Sequence, residues 1–326
     1  VKRSVRRTLT ALTSALLAAT VLAPLAGATP TGRPDTGAAT RYTPPAPQWG
    51  TCELPRLQRA GAECADLVVP LDWDRPRGKK ITIAVSRKVH TDSDYKGMIA
   101  VNPGGPGGSG LVYPVLGASI PDGVGAKFDW YGFDPRGVGS SEPSLSCDPD
   151  YAGQDYDRPN YVPDRTAEGR ANEAWWRKTT SDYARACARA DAKELLPHMR
   201  TVDVARDLDA LRRAVGEKKL NYYGFSYGTY LGQVYATLFP QQTGKMVWDG
   251  VLDADNAFYE ANLEQDVAFD ANLDRYFAYL AARDDHFGLG TDPAAIKKGY
   301  YSLRERLDDE PAADGLLAPT NSTTRC

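Results

Sequence analysis

Short, nearly unbroken apolar runs alternate with amphipathic stretches through the middle of the chain. Residues 65–71 and 80–89 read as two antiparallel strands joined by the turn Asp74-Arg75-Pro76-Arg77-Gly78. The run Gly97-Met98-Ile99-Ala100-Val101 is too apolar for a half-exposed strand and reads as a buried central one, and residues 128–133, 219–223 and 245–248 add three more. Between them, Val202, Val204, Leu208, Leu211 and Val215 recur at a helical period that gives residues 202–215 one face to pack on a sheet. Residues 229–238 read as a second such helix. Alternation of this kind predicts an α/β fold with a mostly parallel sheet covered on both faces. Beyond residue 254 the pattern becomes purely helical, over 258–282 and 293–307. That change predicts the start of a helical cap over the carboxyl edge of the sheet, where open α/β sheets place their sites.

The expected organisation is a core at 49–253, interrupted by a polar insertion at 142–198 with a helix near 166–190, and a partial cap at 254–326. No internal repeat is present. Upstream, residues 29–48 are rich in Pro, Thr and Gly and are expected to form a mobile leader. Residues 1–28 carry Lys2, Arg3, Arg6 and Arg7, then an uncharged apolar run from Leu9 to Leu25, then Ala26-Gly27-Ala28. This is the pattern of a removed export signal, so a secreted protein is expected, with no membrane span once the signal is cleaved.

The chain has a net charge of −3, which becomes about −7 without the signal and its four cations. No basic patch invites nucleic acid. In an oxidising compartment, five cysteines suggest disulfides, and we expect Cys52–Cys64 to staple the first folded segment and Cys147–Cys187 to close the insertion. Cys326 is left over, an expectation that points to further sequence carrying its partner. With three histidines and no Cys-x-x-Cys pair, neither a metal site nor a cofactor is implied.

The chemistry concentrates at Gly224-Phe225-Ser226-Tyr227-Gly228, set between a predicted strand and a predicted helix. Gly-x-Ser-x-Gly in that setting reads as a nucleophile elbow, which presents the serine at a sharp, strained turn. The expected oxyanion donors are the backbone N–H groups of Tyr227 and of Gly105, in the loop Asn102-Pro103-Gly104-Gly105-Pro106-Gly107-Gly108-Ser109-Gly110. Phosphate binding by this loop fails on detail, since no Gly-Lys-Ser/Thr follows and Pro106 lacks an N–H.

The loop at 103–110, Asp134-Pro135-Arg136-Gly137-Val138-Gly139-Ser140-Ser141, the elbow with Thr229-Tyr230-Leu231-Gly232, and Val247-Trp248-Asp249-Gly250-Val251-Leu252-Asp253 together resemble the secreted bacterial tripeptidyl aminopeptidases. These are α/β-hydrolase serine exopeptidases related to the prolyl aminopeptidases, and the likeness runs over about residues 49–307. Asn102-Pro103 departs from the His-Gly-Gly-Pro-Gly form of the prolyl enzymes. The resemblance implies release of short peptides or single residues from free N-termini, with Ser226 as nucleophile and peptides as partners. It places the triad Asp and His in a segment past the cap, so both are expected to be absent from these residues and the chain to be truncated.

After Ser226 the one histidine is His286, read as a polar helix-end residue; His90 and His198 are read as surface residues. Asp249 and Asp253 are read as turn or capping residues, and Asp134 and Arg136 as supports of the loop beneath the site. Glu260 and Glu264, on the first cap helix, could bind a peptide ammonium or form a solvated face. Two alternatives stay open: a secreted carboxylesterase or lipase, since fold and elbow do not choose between amide and ester, and a noncatalytic peptide-binding protein.

Overall fold

The computed structural model describes residues 42–148, 151 and 167–309. The expectations for residues 1–41 and 310–326, Cys326 included, lie outside the described residues; over 42–48, expected as part of a mobile leader, Tyr42 instead packs on the core with its hydroxyl donating to Val68 O at 2.9 Å. Seven strands form one sheet: β1 (Gly50–Thr51), β2 (Glu63–Pro70), β3 (Lys80–Lys88), β4 (Met98–Asn102), β5 (Asp129–Phe133), β6 (Leu220–Phe225) and β7 (Thr243–Asp249). The helices among the described residues are α1 (Pro55–Arg59), α2 (Ala167–Cys187), α3 (Thr201–Ala214), α4 (Tyr227–Leu238), α5 (Tyr259–Ala281), α6 (Asp284–Phe287) and α7 (Pro293–Asp309). Shorter 3₁₀ segments join them at Tyr113–Ser119, Pro121–Lys127 and Lys193–His198.

The strand order is β1-β2-β3-β5-β4-β6-β7. β4 pairs parallel with β5 and β6, and β6 parallel with β7, whereas β1, β2, β3 and β5 pair antiparallel in succession. Thus β2, β5, β4, β6 and β7 point one way, and β1 and β3 the other. The mostly parallel sheet is as the apolar runs predict.

Side chains on a strand alternate between faces, and β4 shows what this does. Met98 and Ala100 join the large cluster with Val204, Leu208, Leu211, Leu231 and Tyr235 of α3 and α4. Ile99 and Val101 face the opposite way, against Tyr113, Leu116, Ile120, Tyr223 and Phe225. Burial on both sides explains why β4 reads as a continuous apolar run, and each large aliphatic side chain so buried stabilises the fold by about 1.5–3 kcal/mol.

From β4 the chain crosses to β5 on one side, then returns to β6 on the other. Such a reversal leaves a crevice at the carboxyl ends of β4 and β6, and the register Asn102↔Gly224 brings those two ends level.

The structure bonds Cys52 to Cys64, tying β1 to β2, and Cys147 to Cys187 across the segment before α2 and its last residue. The helical region after β7 has its own small apolar cluster, Phe277, Leu280, Ala281 and Ile296, built between α5 and α7. Much of the rest of α5 is exposed, including Tyr259, Leu263, Val267 and Phe269.

Candidate active site

Ser226 stands between the last residue of β6 and the first of α4, with φ +53° and ψ −126°. A non-glycine residue at positive φ is strained, by about 1–3 kcal/mol, and persists only where its surroundings hold it. Here they do. The Ser226 N–H donates to Asp249 O at 2.9 Å at the end of β7, and Ser226 O accepts the Thr229 N–H at 2.9 Å and the Thr229 hydroxyl at 2.7 Å. The turn also demands close approach. A Cβ on residue 228 would stand 2.6 Å from Asn102 O, which excludes any side chain there. The serine itself is exposed on this buried frame.

The loop after β4 lies directly against the elbow. A Cβ on residue 104 would stand 2.5 Å from Phe225 O, 2.9 Å from Tyr227 N and 3.0 Å from the Ser226 Cβ. Gly104, at φ +94°, thus lets the loop backbone reach the serine while leaving the Tyr227 N–H uncovered. Neither that N–H nor the Gly105 N–H has an acceptor among the described residues. The Tyr227 N–H thus stands without an acceptor next to a strained, exposed serine, with the Gly104 backbone packed against both. The Tyr227 side chain takes no part in this: it is buried, with its hydroxyl 2.8 Å from Thr201 Oγ1, and burial pushes the phenol's pKa up, keeping it neutral.

Buried polar groups fix the loop from below. Asp134 is 1% exposed; its Oδ1 accepts from Ser109 Oγ at 2.6 Å and the Gly110 N–H at 3.0 Å, and its Oδ2 accepts the Ser140 N–H at 2.8 Å. Arg136 lies deeper. It donates from Nε and Nη2 to the two Asp207 oxygens, each at 2.7 Å, and to the carbonyls of Pro70, Leu71 and His198. Neither residue contacts Ser226; both brace the scaffold.

A model of the alpha/beta hydrolase fold matches residues 98–320. The chain belongs to this family. Among curated relatives, it is 40% identical over 281 residues to the tripeptidyl aminopeptidase of Streptomyces coelicolor, covering 83% of this chain and 50% of that one. It is 39% identical over 269 residues to the serine protease Hip1 of Mycobacterium tuberculosis, covering 80% of this chain and 50% of the relative. A carboxylesterase B from Mycobacterium tuberculosis is 34% identical over 295 residues, with 88% and 55% covered. The chain therefore spans about half the length of the curated relatives it matches.

The remaining candidates lie away from Ser226 or beside it. His286 is exposed on α6, its ring 4.7 Å from that of Phe287. His90 Nδ1 sits 2.6 Å from Asp129 Oδ1 at the start of β5, and the His198 carbonyl accepts from Arg136. None of the three touches Ser226. The Asp249 carboxylate takes a hydrogen bond from the Tyr223 hydroxyl at 3.3 Å while its carbonyl holds the elbow. Asp253 accepts the Asp255 N–H and, at 3.2 Å, the Asn256 side-chain amide, which also donates to Glu264 Oε1 at 3.2 Å. Glu260 and Glu264 are both exposed at the beginning of α5. The loop leading to α5 is pinned to α4, since Leu252 N–H donates to Thr229 Oγ1 and Gln233 Nε2 donates to Leu252 O, each at 2.9 Å. Sequence reading missed Gly104 and Thr229. The glycine-rich loop marked the region, but which atoms face across it is a tertiary fact.

Proposed function

We propose that the protein is a secreted serine exopeptidase that releases short peptides or single residues from free N-termini through an acyl-enzyme at Ser226. The elbow carries this reading: an exposed serine held at positive φ, beside the Tyr227 N–H and against the loop that carries Gly104 and Gly105. In the reaction, Ser226 Oγ attacks the scissile carbonyl carbon as its proton passes to a base. The carbonyl oxygen becomes an oxyanion facing the two N–H donors, and collapse expels the amine with the proton returned. Water then cleaves the ester. Among the described residues none of the three histidines touches Ser226, and the curated relatives are about twice as long as the matched region. Glu260 and Glu264 are proposed to receive the substrate's ammonium, the Asn256 bridge holding Glu264 toward the loop after β7.

The names of the tripeptidyl aminopeptidase and serine protease relatives support a peptide substrate. An ester substrate is the second reading, favoured by the likeness to a carboxylesterase. The test is fluorophosphonate labelling of the natively secreted protein, followed by rates on tripeptide p-nitroanilides and matched p-nitrophenyl esters. Adduct on Ser226, with N-blocking of the peptide abolishing turnover, supports the exopeptidase. Turnover of esters alone selects the second reading, and an unlabelled serine rejects both.

A further inference from the structure

We propose that Asn102 is a positioning residue for both oxyanion donors, acting through a buried carboxamide that packing alone does not explain; the inference rests on the acyl-enzyme reading of Ser226. Asn102 ends β4 and is 1% exposed. Strand alternation puts its side chain on the face of Met98 and Ala100, beneath α4. Its Oδ1 accepts the Gly104 N–H at 3.0 Å. The same Oδ1 lies 2.9 Å from where a Cβ of residue 228 would stand, so the first turn of α4 rests on the carboxamide. One side chain thus touches the backbone of both structures that carry the donors: the loop of Gly105 and the helix of Tyr227.

The other half of the amide is equally informative. Asn102 Nδ2 is buried with no hydrogen-bond partner among the described residues. An unpaired buried donor opposes folding, and an apolar side chain of equal size would avoid the cost. The amide oxygen accounts for its presence, because it fixes the peptide plane entering Gly104; the contacts of Gly104 with the elbow at φ +94° then set the next plane, which carries the Gly105 N–H. A carboxylate could accept the same hydrogen bond but would set a negative charge beneath a site that must stabilise another. A neutral acceptor with an idle donor is what that compromise looks like.

The test uses the full secreted protein and compares wild type with Asn102→Leu and Asn102→Asp. Asn102→Leu removes the acceptor and the idle donor together. Its thermal midpoint is expected to stay near that of wild type, because removal of the unpaired Nδ2 offsets the Gly104 N–H left without its acceptor. The saturating rate of fluorophosphonate addition to Ser226 should fall about 10–100-fold, with the half-saturating probe concentration changed by less than about twofold. Asn102→Asp keeps an acceptor: Gly104 amide exchange should stay slow, while the addition rate falls and recovers as pH is lowered and the carboxylate takes a proton. A midpoint that drops in Asn102→Leu while the saturating rate holds would make the residue merely structural and overturn the proposal. If wild type takes no probe at all, the acyl-enzyme reading fails on its own. Gly104 amide exchange still decides the positioning role, supporting it if faster in Asn102→Leu and refuting it if unchanged.

Discussion

At Ser226 the backbone holds strain that the proposed nucleophilic role would justify. Glycine adopts φ +53° freely, whereas alanine keeps the Cβ that makes it strained. Ser226→Gly is therefore expected to be more stable than Ser226→Ala by about 1 kcal/mol in denaturant titration, with fluorophosphonate labelling lost in both. Gly104 makes the complementary case. Gly104→Ala would place a methyl 2.9 Å from Tyr227 N and 2.5 Å from Phe225 O, so the loop must retreat and the N–H be covered. Losing one oxyanion donor lowers kcat by about 10²–10³-fold, and that is the loss expected here, read as single-turnover acylation at unchanged KM. The serine was legible from its strand–turn–helix setting, because local sequence makes that turn. The part played by Gly104 was not, because it depends on atoms more than a hundred residues away in sequence.

Between elements, the segment from β7 to α5 decides how the acidic start of α5 lies against the elbow. Thr229 is the joint: its hydroxyl donates to Ser226 O and accepts the Leu252 N–H. Thr229→Val keeps the shape and removes both bonds. It is expected to destabilise by about 1–3 kcal/mol and to speed proteolysis in the 250–258 segment, measured by denaturation and limited digestion. Glu260 and Glu264 test the substrate reading. Exposed charge pairs contribute up to about 1 kcal/mol, so Glu260→Gln with Glu264→Gln should raise KM for free N-terminal peptides by about five- to tenfold, less at high salt. An equal change for an N-blocked ester would show that the two carboxylates do not read the ammonium.

For the whole molecule, the sequence disclosed the sheet better than its covering. Buried runs such as 97–101 and 128–133 mark central strands because both faces are packed, and the elements found there differ from the expectations by only a residue or two. The 3₁₀ turns at Tyr113–Lys127 carry no period and stayed invisible, although they pack against the face of the sheet that bears Val101 and Trp130. α1, five residues with one buried leucine, was equally silent. Arg136 was seen as a brace, but its reach was not. It joins the end of β2, the carbonyl of His198 and Asp207 of α3, with its side chain wholly buried. Trp73 Nε1 adds a third hydrogen bond to Asp207. Arg136→Ala leaves that carboxylate buried without its cation, and a loss of about 3–5 kcal/mol is expected near neutral pH. The deficit should depend on pH in a defined direction. Burial already pushes the Asp207 pKa above its ordinary value while Arg136 and Trp73 pull it down, so removing the guanidinium raises it further. The folded variant then binds a proton that its unfolded chain does not, and its stability falls as pH rises through the raised pKa. Arg136→Ala should therefore lie closer to wild type at pH 5 than at pH 7 in denaturant titrations. Arg136→Lys, which keeps the charge but loses the planar fork, should recover part of the stability and little of this pH dependence. A deficit of equal size at both pH values would mean that Asp207 finds another partner once Arg136 is gone.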